Sequence, residues 1–544
     1  MIGSSFERKR WAPTRKMALG ALVLAAATCT VDAHVGYDLP DDVDGGAPDG
    51  GACVPGSTTT CYTGPAGTEG VGLCSAGTAT CNEDGVGFGP CQGEMTPKPE
   101  DCATPVDEDC DGAAPPCTGL PLWSKRFGND GIQESWRIAA DSMGNALITG
   151  TFEGTVDFGG GPLASAGVKD LFIAKLDAAG GEHLWSRRFG EATEINIFVA
   201  VDGSDNVVIA GRFFGSVDFG GGPLTSADDG ALFVAKLDPQ GGPVWAKQFN
   251  SPANFGETID GIAVDKVGNV CLVGSFESPI DFGGGLLTSA GGRDLFVVKF
   301  DDSGSYLWAK RFGDAAFQFG DSVALDNAGN IALTGRFAGV LDFGGGPLTS
   351  TGYNDFFVAK LDATGDHLWS ERLGGASPYS TVTMDTAGAL YFGGSIDGAV
   401  DFGGGLLTSV GGLDAVTARL DAAGNHVYSR IYGDVSDQFV SSIAVDNAGN
   451  AILTGYFSGA LDFGGGPLAS IGTKDIVLAK LDASGTHLWS KRFGDAEWQG
   501  GTSLTIDNSG SPLVLGTFNG TVDFGNGPLS SAGKTDIFVA KFSP

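Results

Sequence analysis

The most chemically pointed string in the chain is Asp107-Glu108-Asp109-Cys110-Asp111-Gly112, shortly after Glu100-Asp101-Cys102. Carboxylates at alternate positions ahead of a glycine are how the first half of a calcium loop sets oxygen ligands around a turn. Asp107, Asp109 and Asp111 are therefore candidate ligands for a divalent cation, with calcium the expected cofactor. The string departs from a full EF-hand loop. Thr118 stands at the twelfth position where a glutamate is needed, and no helix-forming sequence flanks the run. The competing reading is a solvated acidic turn pinned by Cys110. Three carboxylates on one turn repel one another unless a cation or water screens them.

Catalytic constellations are scarce. Four of the five histidines, His183, His367, His426 and His487, share one repeated position, and His34 lies outside the repeats. No His-Glu-x-x-His, Gly-x-Ser-x-Gly or phosphate-binding glycine string occurs. Acidic pairs are too numerous to single out a glycosidase dyad.

What positions any site is a repeat. Asp-Phe-Gly starts at Asp157, Asp218, Asp281, Asp342, Asp401, Asp462 and Asp523, roughly every sixty residues. Residues 441–445 form an apolar run, then Asp446-Asn447-Ala448-Gly449-Asn450 supplies a tight turn. Ala451 to Thr454 is a second run. A long loop carries Asp462-Phe463-Gly464. Ile476 to Leu481 is a third strand, Asp482-Ala483-Ser484-Gly485 a second tight turn, and His487 to Phe493 a fourth strand. Four short antiparallel strands per unit, repeated, predict an all-β fold of radial blades, a β-propeller.

The fourth-strand motif recurs at Trp123, Trp185, Trp245, Trp308, Trp369, Tyr428 and Trp489, so one copy precedes the first complete unit. The last unit stops after its third strand, Ile537 to Phe542. Pairing of these two ends closes seven blades and removes the open edges. The repeats are similar to the bacterial β-propeller repeat family, whose units read as residues 443–450 and 462–466 do here. That resemblance covers about residues 119–544, implies export from a bacterium, and implies no particular activity.

A residue placed seven times around a ring is structural by default; function hides where repeats differ. Asp157 and its counterparts are expected to cap their own glycine turns, the alternative being a carboxylate ring around a metal. Lys175, Lys236, Lys299, Lys360, Arg419, Lys480 and Lys541 are expected to pair with a loop aspartate, and the recurrent tryptophan to pack blade against blade. Cys271 fills a position held elsewhere by Leu or Val and reads as a buried hydrophobe. The segments joining blades do vary, and they carry Trp136, Phe255, Phe317, Phe319, Tyr379, Phe439 and Trp498. These aromatics either plug the starts of the inner strands or stack on a sugar or peptide ligand.

The rest of the chain bounds compartment and partner. Residues 1–33 read as an export signal, with a basic start and a short apolar run from Met17 to Ala27. Cleavage after Ala33 competes with a degenerate lipoprotein box that would acylate Cys29. Residues 34–50 are an Asp-, Gly- and Pro-rich linker, expected to be disordered. Residues 51–118 hold eight of the ten cysteines, Cys53, Cys61, Cys74, Cys81, Cys91, Cys102, Cys110 and Cys117, an even set suited to disulfides in an oxidising compartment. Their connectivity is open among 105 pairings. This segment resembles the Cys-rich metal-binding motif of some secreted bacterial surface proteins, which implies cation binding by Asp107, Asp109 and Asp111. The net charge of −33 argues against nucleic acid and against anionic lipid, leaving an N-terminal lipid anchor as the route to a membrane. The reading is an exported, surface-associated, non-enzymatic platform for a protein or glycan ligand. Its alternatives are a propeller enzyme acting on polysaccharide through channel carboxylates, and a calcium-dependent structural surface component.

Overall fold

A computed structural model describes residues 52–98, 107, 108, 110, 112, 118–190, 197–226, 230–250, 256–352 and 354–544, the side chains of 376–379 excepted. The chain divides into two compact units, Met1–Pro115 and Pro116–Pro544. The export signal, Cys29 and the linker lie outside the described residues.

In the first unit Thr58–Cys61 pairs antiparallel with Gly77–Thr80. Disulfides join Cys53 to Cys81, Cys61 to Cys91 and Cys74 to Cys110. The hydrophobic residues buried here are Cys74, Ala79, Cys81 and Cys110. Cystine sulfur thus takes the place of a side-chain core in a segment too poor in large apolar residues to build one. Cys102 and Cys117 lie outside the described residues.

The second unit is seven four-stranded antiparallel sheets. Blade 1 is Gln133–Ala140, Ala146–Phe152, Asp170–Leu176 and His183–Phe189. Blades 2 to 6 repeat that order, with first strands Ile197–Val201, Thr258–Val264, Gln318–Leu325, Ala376–Met384 and Gln438–Val445. Blade 7 takes Gln499–Ile506, Pro512–Phe518 and Asp536–Phe542, then Pro121–Phe127 from the other end of the unit. That last pair is in antiparallel register, Lys125 opposite Val539, and closes the ring. First strands of successive blades lie side by side, blade 7 against blade 1 included, so they form the innermost layer.

Second and third strands are buried on both faces, as in Asp170–Leu176, because each blade is sandwiched between two others. Their near-continuous apolar runs follow from that burial. Each hydrophobic cluster draws on two neighbouring blades, as where Leu147 and Ile173 meet Ile209 and Phe233. Cys271 is fully buried, and burial pushes its thiol up to about 12.

The Asp-Phe-Gly stretch is more ordered than the loop the sequence suggests. Each copy folds into a short two-stranded hairpin, Thr155–Asp157 against Pro162–Ala164 in blade 1. Strands of three residues leave too little alternation to read. Asp157 Oδ1 accepts the N–H groups of Gly159 at 2.7 Å and Gly161 at 3.0 Å, both glycines at positive φ. The same two bonds recur in all seven copies. Phe158 is buried 4.8 Å from Phe172. A Cβ on Gly160 would sit 2.1 Å from the His183 ring, so the repeated histidine is the floor on which the hairpin packs.

The repeated cation is a clasp. Lys175 reaches Asp141 of its own blade at 2.8 Å, and the equivalent pairs are Lys236–Asp202, Lys299–Asp265, Lys360–Asp326, Arg419–Asp385, Lys480–Asp446 and Lys541–Asp507. These span 2.6 Å to 3.9 Å. Lys175 Nζ also donates to Pro239 O in the next blade, the carbonyl that accepts Trp185 Nε1 at 3.0 Å. Lys541 and Trp123 share Ala178 O of blade 1 in the same way, across the closure. The recurrent tryptophan is thus a hydrogen-bonded blade-to-blade contact. Trp489 Nε1, by contrast, is buried without an acceptor.

A second buried pair sits at the other end of the third strand. Asp170, Asp294, Asp355, Asp475 and Asp536 pair with Arg188, Arg311, Arg372, Arg492 and Arg126 of the fourth strand. Blade 2 has lost both partners together: Ala231 stands at the aspartate position and Gln248 at the arginine position.

Two outcomes test this architecture. Removing residues 119–127 exposes the edge of Asp536–Phe542; the truncated protein is expected to associate on size-exclusion chromatography and to melt well below the parent. Lys480→Met strands Asp446 in the interior and is expected to cost about 3–5 kcal/mol in chemical denaturation. Burial opposes ionisation of Asp446, but its hydrogen bonds with Asn450 and Lys480 outweigh that and hold its pKa low. A depressed carboxylate contributes stability that is full above the ordinary aspartate range and is lost as pH falls through the folded value. Acid unfolding of the parent is therefore expected to begin below about pH 4, with a smaller acid-linked component in the variant.

Candidate functional site

The inner strands hold what the repeat does not explain. Four of them in blades 1, 3, 4 and 6, and the one in blade 7, carry a β-bulge at the same place, with one residue left out of the ladder. That extra residue is Trp136, Asp260, Asp321, Ser441 or Thr502. A bulge re-aims side chains and frees one from the pairing constraint. At the bulge of blade 1 two successive residues, Trp136 and Arg137, are both half-buried, breaking the alternation of Gln133–Ala140.

The residue after the bulge is a seam element in three blades. Ser322, Ser442 and Ser503 each accept a backbone N–H from the next inner strand, those of Val382, Leu504 and Ile138, at 3.2, 3.1 and 3.3 Å. Blade 1 has Arg137 at this position. Its guanidinium lies 4.4 Å from the ring centre of Phe198 in blade 2, and Nη1 donates to Trp136 O at 2.9 Å.

Asp260 and Asp321 bring two carboxylates to the same inner layer. Asp260 Oδ2 accepts Thr258 Oγ1 at 2.9 Å and Ser275 Oγ at 3.4 Å. Asp321 pairs with Arg336 Nε at 3.1 Å and accepts Ser380 Oγ of blade 5 at 3.0 Å. Burial pushes Asp260 up to about 7; the Thr258 hydrogen bond opposes this, the Asp321 charge adds to it, and Arg293 and Arg336 oppose it. Burial likewise pushes Asp321 up to about 6, against Arg336 and Ser380. Burial draws Arg137 down to about 10, with the charge of Asp260 pulling the other way. Arg137 and Asp260 stand on the first strands of blades 1 and 3, in the innermost layer of the ring. The cluster is acidic, basic and aromatic at once, able to hold a ligand with both hydrogen-bonding and charged groups.

Around it stand the aromatics singled out by sequence. Phe319 lies under two cations, Arg336 at 5.4 Å and Arg293 at 5.6 Å, and runs parallel to Phe317 at 6.4 Å between centroids. Phe317 is 55% exposed, so it plugs nothing. Phe439 and Tyr456 meet at 4.6 Å, Trp498 is 6.4 Å beyond, and Lys474 Nζ sits within 4.8 Å of both first rings. Phe319, Phe439, Trp136 and Trp498 are half-buried. The structure thus gathers Phe317 with Phe319, and Phe439 with Trp498, but sets Trp136 apart at its bulge. Phe255 lies outside the described residues. Tyr379 belongs to the blade 5 inner strand, opposite Ser395.

The acidic string of the first unit is only partly described. Asp107 is buried, and its Oδ2 accepts Gly112 N–H at 2.9 Å, so it braces its own turn. Asp109 and Asp111 lie outside the described residues. Among the described residues no group of three or more metal-ligating side chains comes together.

Arg137, Asp260, Asp321, Arg293, Arg336, Tyr456 and Lys474 were not singled out by sequence. A signal existed for the first three: aligned on their glutamine or glutamate starts, Gln133, Glu257, Gln318, Gln438 and Gln499, the inner strands place them where other repeats hold Ser or Thr.

No family model matches the chain. It is similar to an uncharacterized WD repeat-containing protein of Acanthamoeba polyphaga mimivirus, 22% identical over 541 residues, which covers 78% of this chain and 38% of that protein. It is also similar to the regulatory protein FlaEY of Caulobacter vibrioides, 27% identical over 176 residues, 30% of this chain and 18% of that one. The chain spans well under half the length of either relative. Similar solved structures include BamB from Moraxella catarrhalis, at TM-score 0.37 and 13% identity over 78% of this chain and 100% of that one. Another is the quinohemoprotein alcohol dehydrogenase of Comamonas testosteroni, at 0.38 and 12% over 78% and 76%. No property is carried from these to the present chain.

Replacing Asp260 tests the electrostatics. A raised carboxylate contributes stability that is full below the ordinary aspartate range and is lost as pH rises through the folded value. Asp260→Asn is therefore expected to melt higher than the parent at pH 8, by on the order of 1–2 kcal/mol after allowance for water in the channel. At pH 5, where the unfolded aspartate is ionised but Asp260 in the fold is protonated, the advantage should be smaller than at pH 8. Equal melting at both values would show an ordinary aspartate.

Proposed function

We propose that the protein is an exported, surface-associated platform that binds a protein or glycan at the axis of its propeller and performs no chemistry on it. One observation carries this reading. The repeated polar residues are consumed by turns, clasps and seams, whereas the unrepeated ones collect on the inner strands and their starts. A partner would meet Phe317, Phe319, Phe439 and Trp498 with Arg293, Arg336 and Lys474 among them, aromatic area beside hydrogen-bonding cations. Three disulfides support an oxidising compartment. Membership of the bacterial β-propeller repeat family, the lipid anchor at Cys29, and calcium at Asp107, Asp109 and Asp111 belong to the same proposal.

A second reading rests on Asp260 and Asp321. Two neighbouring carboxylates raised to about 7 and about 6 suit general acid–base work on polysaccharide.

Glycan and peptide arrays probed with the full chain, with products assayed, separate the two. The platform reading expects captured ligand without turnover, and capture weakened about tenfold or more by Phe317→Ala and Trp498→Ala. Hydrolysis lost in Asp260→Asn would establish the enzyme instead. Calcium is checked separately: thermal unfolding is expected to rise with calcium and fall with chelator.

A further inference from the structure

Arg137 is an arginine with work left undone. At its position three other blades use serine to accept a backbone N–H from the next blade. Arg137 cannot accept, so the exchange gives up a seam contact between blades 1 and 2. It gains a guanidinium stacked on Phe198 whose one side-chain hydrogen bond is to Trp136 O. Among the described residues no carboxylate lies within ion-pair distance of it, while the other buried or half-buried arginines of the inner layer have close partners, as Arg336 has Asp321. Asp260 acts on it only from two blades away. Beside it on the bulge, Trp136 Nε1 is buried with no acceptor. Two neighbouring residues therefore hold donors in excess of acceptors, in a chain whose net charge is −33 and whose cations are mostly paired.

A half-buried guanidinium with no ion-pair partner among the described residues, set over an aromatic face, is a seat for a planar oxyanion, because two parallel N–H groups match the two oxygens of a carboxylate. We propose that Arg137, carried by the blade 1 bulge and backed by Phe198, binds the carboxylate of a ligand entering the axial channel. Such a carboxylate comes either from an acidic sugar or from the free C-terminus of a peptide. The acidic surface slows approach of an anion, so discrimination is made at the seat and not at long range. Asp260, on the inner strand of blade 3, is the acidic charge whose field reaches Arg137, with Asp321, Arg293 and Arg336 the other charged groups of the cluster. Neutralising Asp260 therefore strengthens anion binding.

This inference rests on the channel being the ligand-binding end, and the experiment lets the two fail separately. The full chain is titrated by calorimetry and tryptophan fluorescence with a glucuronate-terminated oligosaccharide and its methyl ester, and with a pentapeptide and its C-terminal amide. The variants are Arg137→Ser, which installs the residue three sister blades already use, and Asp260→Asn. The expected result is that at least one acid binds about tenfold or more tightly than its neutral partner. Arg137→Ser should erase that preference without lowering the melting temperature, and Asp260→Asn should enlarge it. Which acid binds identifies the source of the carboxylate. Binding of acid and neutral forms alike, binding of neither, or a preference intact in Arg137→Ser would overturn the seat. A partner still captured by Arg137→Ser through Phe317 and Trp498 would leave the platform reading standing.

Discussion

A positive charge set seven times between blades, buried in six of them and half-buried at Arg419, is what the propeller hangs on. Lys175 and its counterparts are taken out of water between their own blade's aspartate and, in most blades, a carbonyl of the next. Neither half suffices by itself. The aspartate alone would be an uncompensated charge in an apolar sandwich, and the carbonyl alone would leave the ammonium unpaired. The ion pair lies within one blade, but the carbonyl lies on the next, so the ammonium has both partners only when neighbours are correctly docked. The hydrophobic clusters supply most of the driving force, but apolar packing tolerates sliding, and the clasp does not. It sets the angular register of each blade against the next.

The clasp also explains why the chain closes as it does. Trp123 and Lys541 come from opposite ends of the unit and share one acceptor, Ala178 O. Completing blade 7 with Pro121–Phe127 therefore does two things at once: it covers an open strand edge and it completes the last inter-blade contact. The cost appears one seam earlier. Trp489, packed against blade 7, is left without the carbonyl its sister tryptophans use.

Much of this was legible because a repeat is its own control. Strand order, closure near Trp123, the lysine–aspartate pairing and the glycine-capping role of Asp157 all follow from residues recurring at fixed spacing. The outer hairpins escaped notice because Thr155–Asp157 and Pro162–Ala164 are too short to show a period of two. The inner strands were read three residues short, from 441 where the ladder begins at Gln438, because a bulge interrupts their alternation. The site was the least legible part. Looking for aromatics found Phe317, Phe439 and Trp498, but Asp260, Asp321 and Arg137 are ordinary residues in an acidic chain until the fold brings blades 1, 3 and 4 to a common axis.

That the divergent residues sit at bulges has a physical reason. A residue in the ladder has its backbone committed to two neighbours and its side chain to a packed face, so replacing it disturbs a seam. The extra residue of a bulge is free of the ladder, and only its side chain touches the seam, as Asp321 does at Ser380 and Thr502 at Ser135. Trp136, Asp260 and Asp321 can differ from Ser441 and Thr502 with the clasps, hairpins and clusters unchanged. Arg137 is the instructive exception, since it stands where Ser322, Ser442 and Ser503 do structural duty. Of the five bulged blades three keep this serine, blade 3 has Gly261, and blade 1 alone sets a half-buried charge there in place of a neutral hydrogen bond. That trade is unfavourable for folding alone, and a residue that costs the fold something is best explained by what it holds.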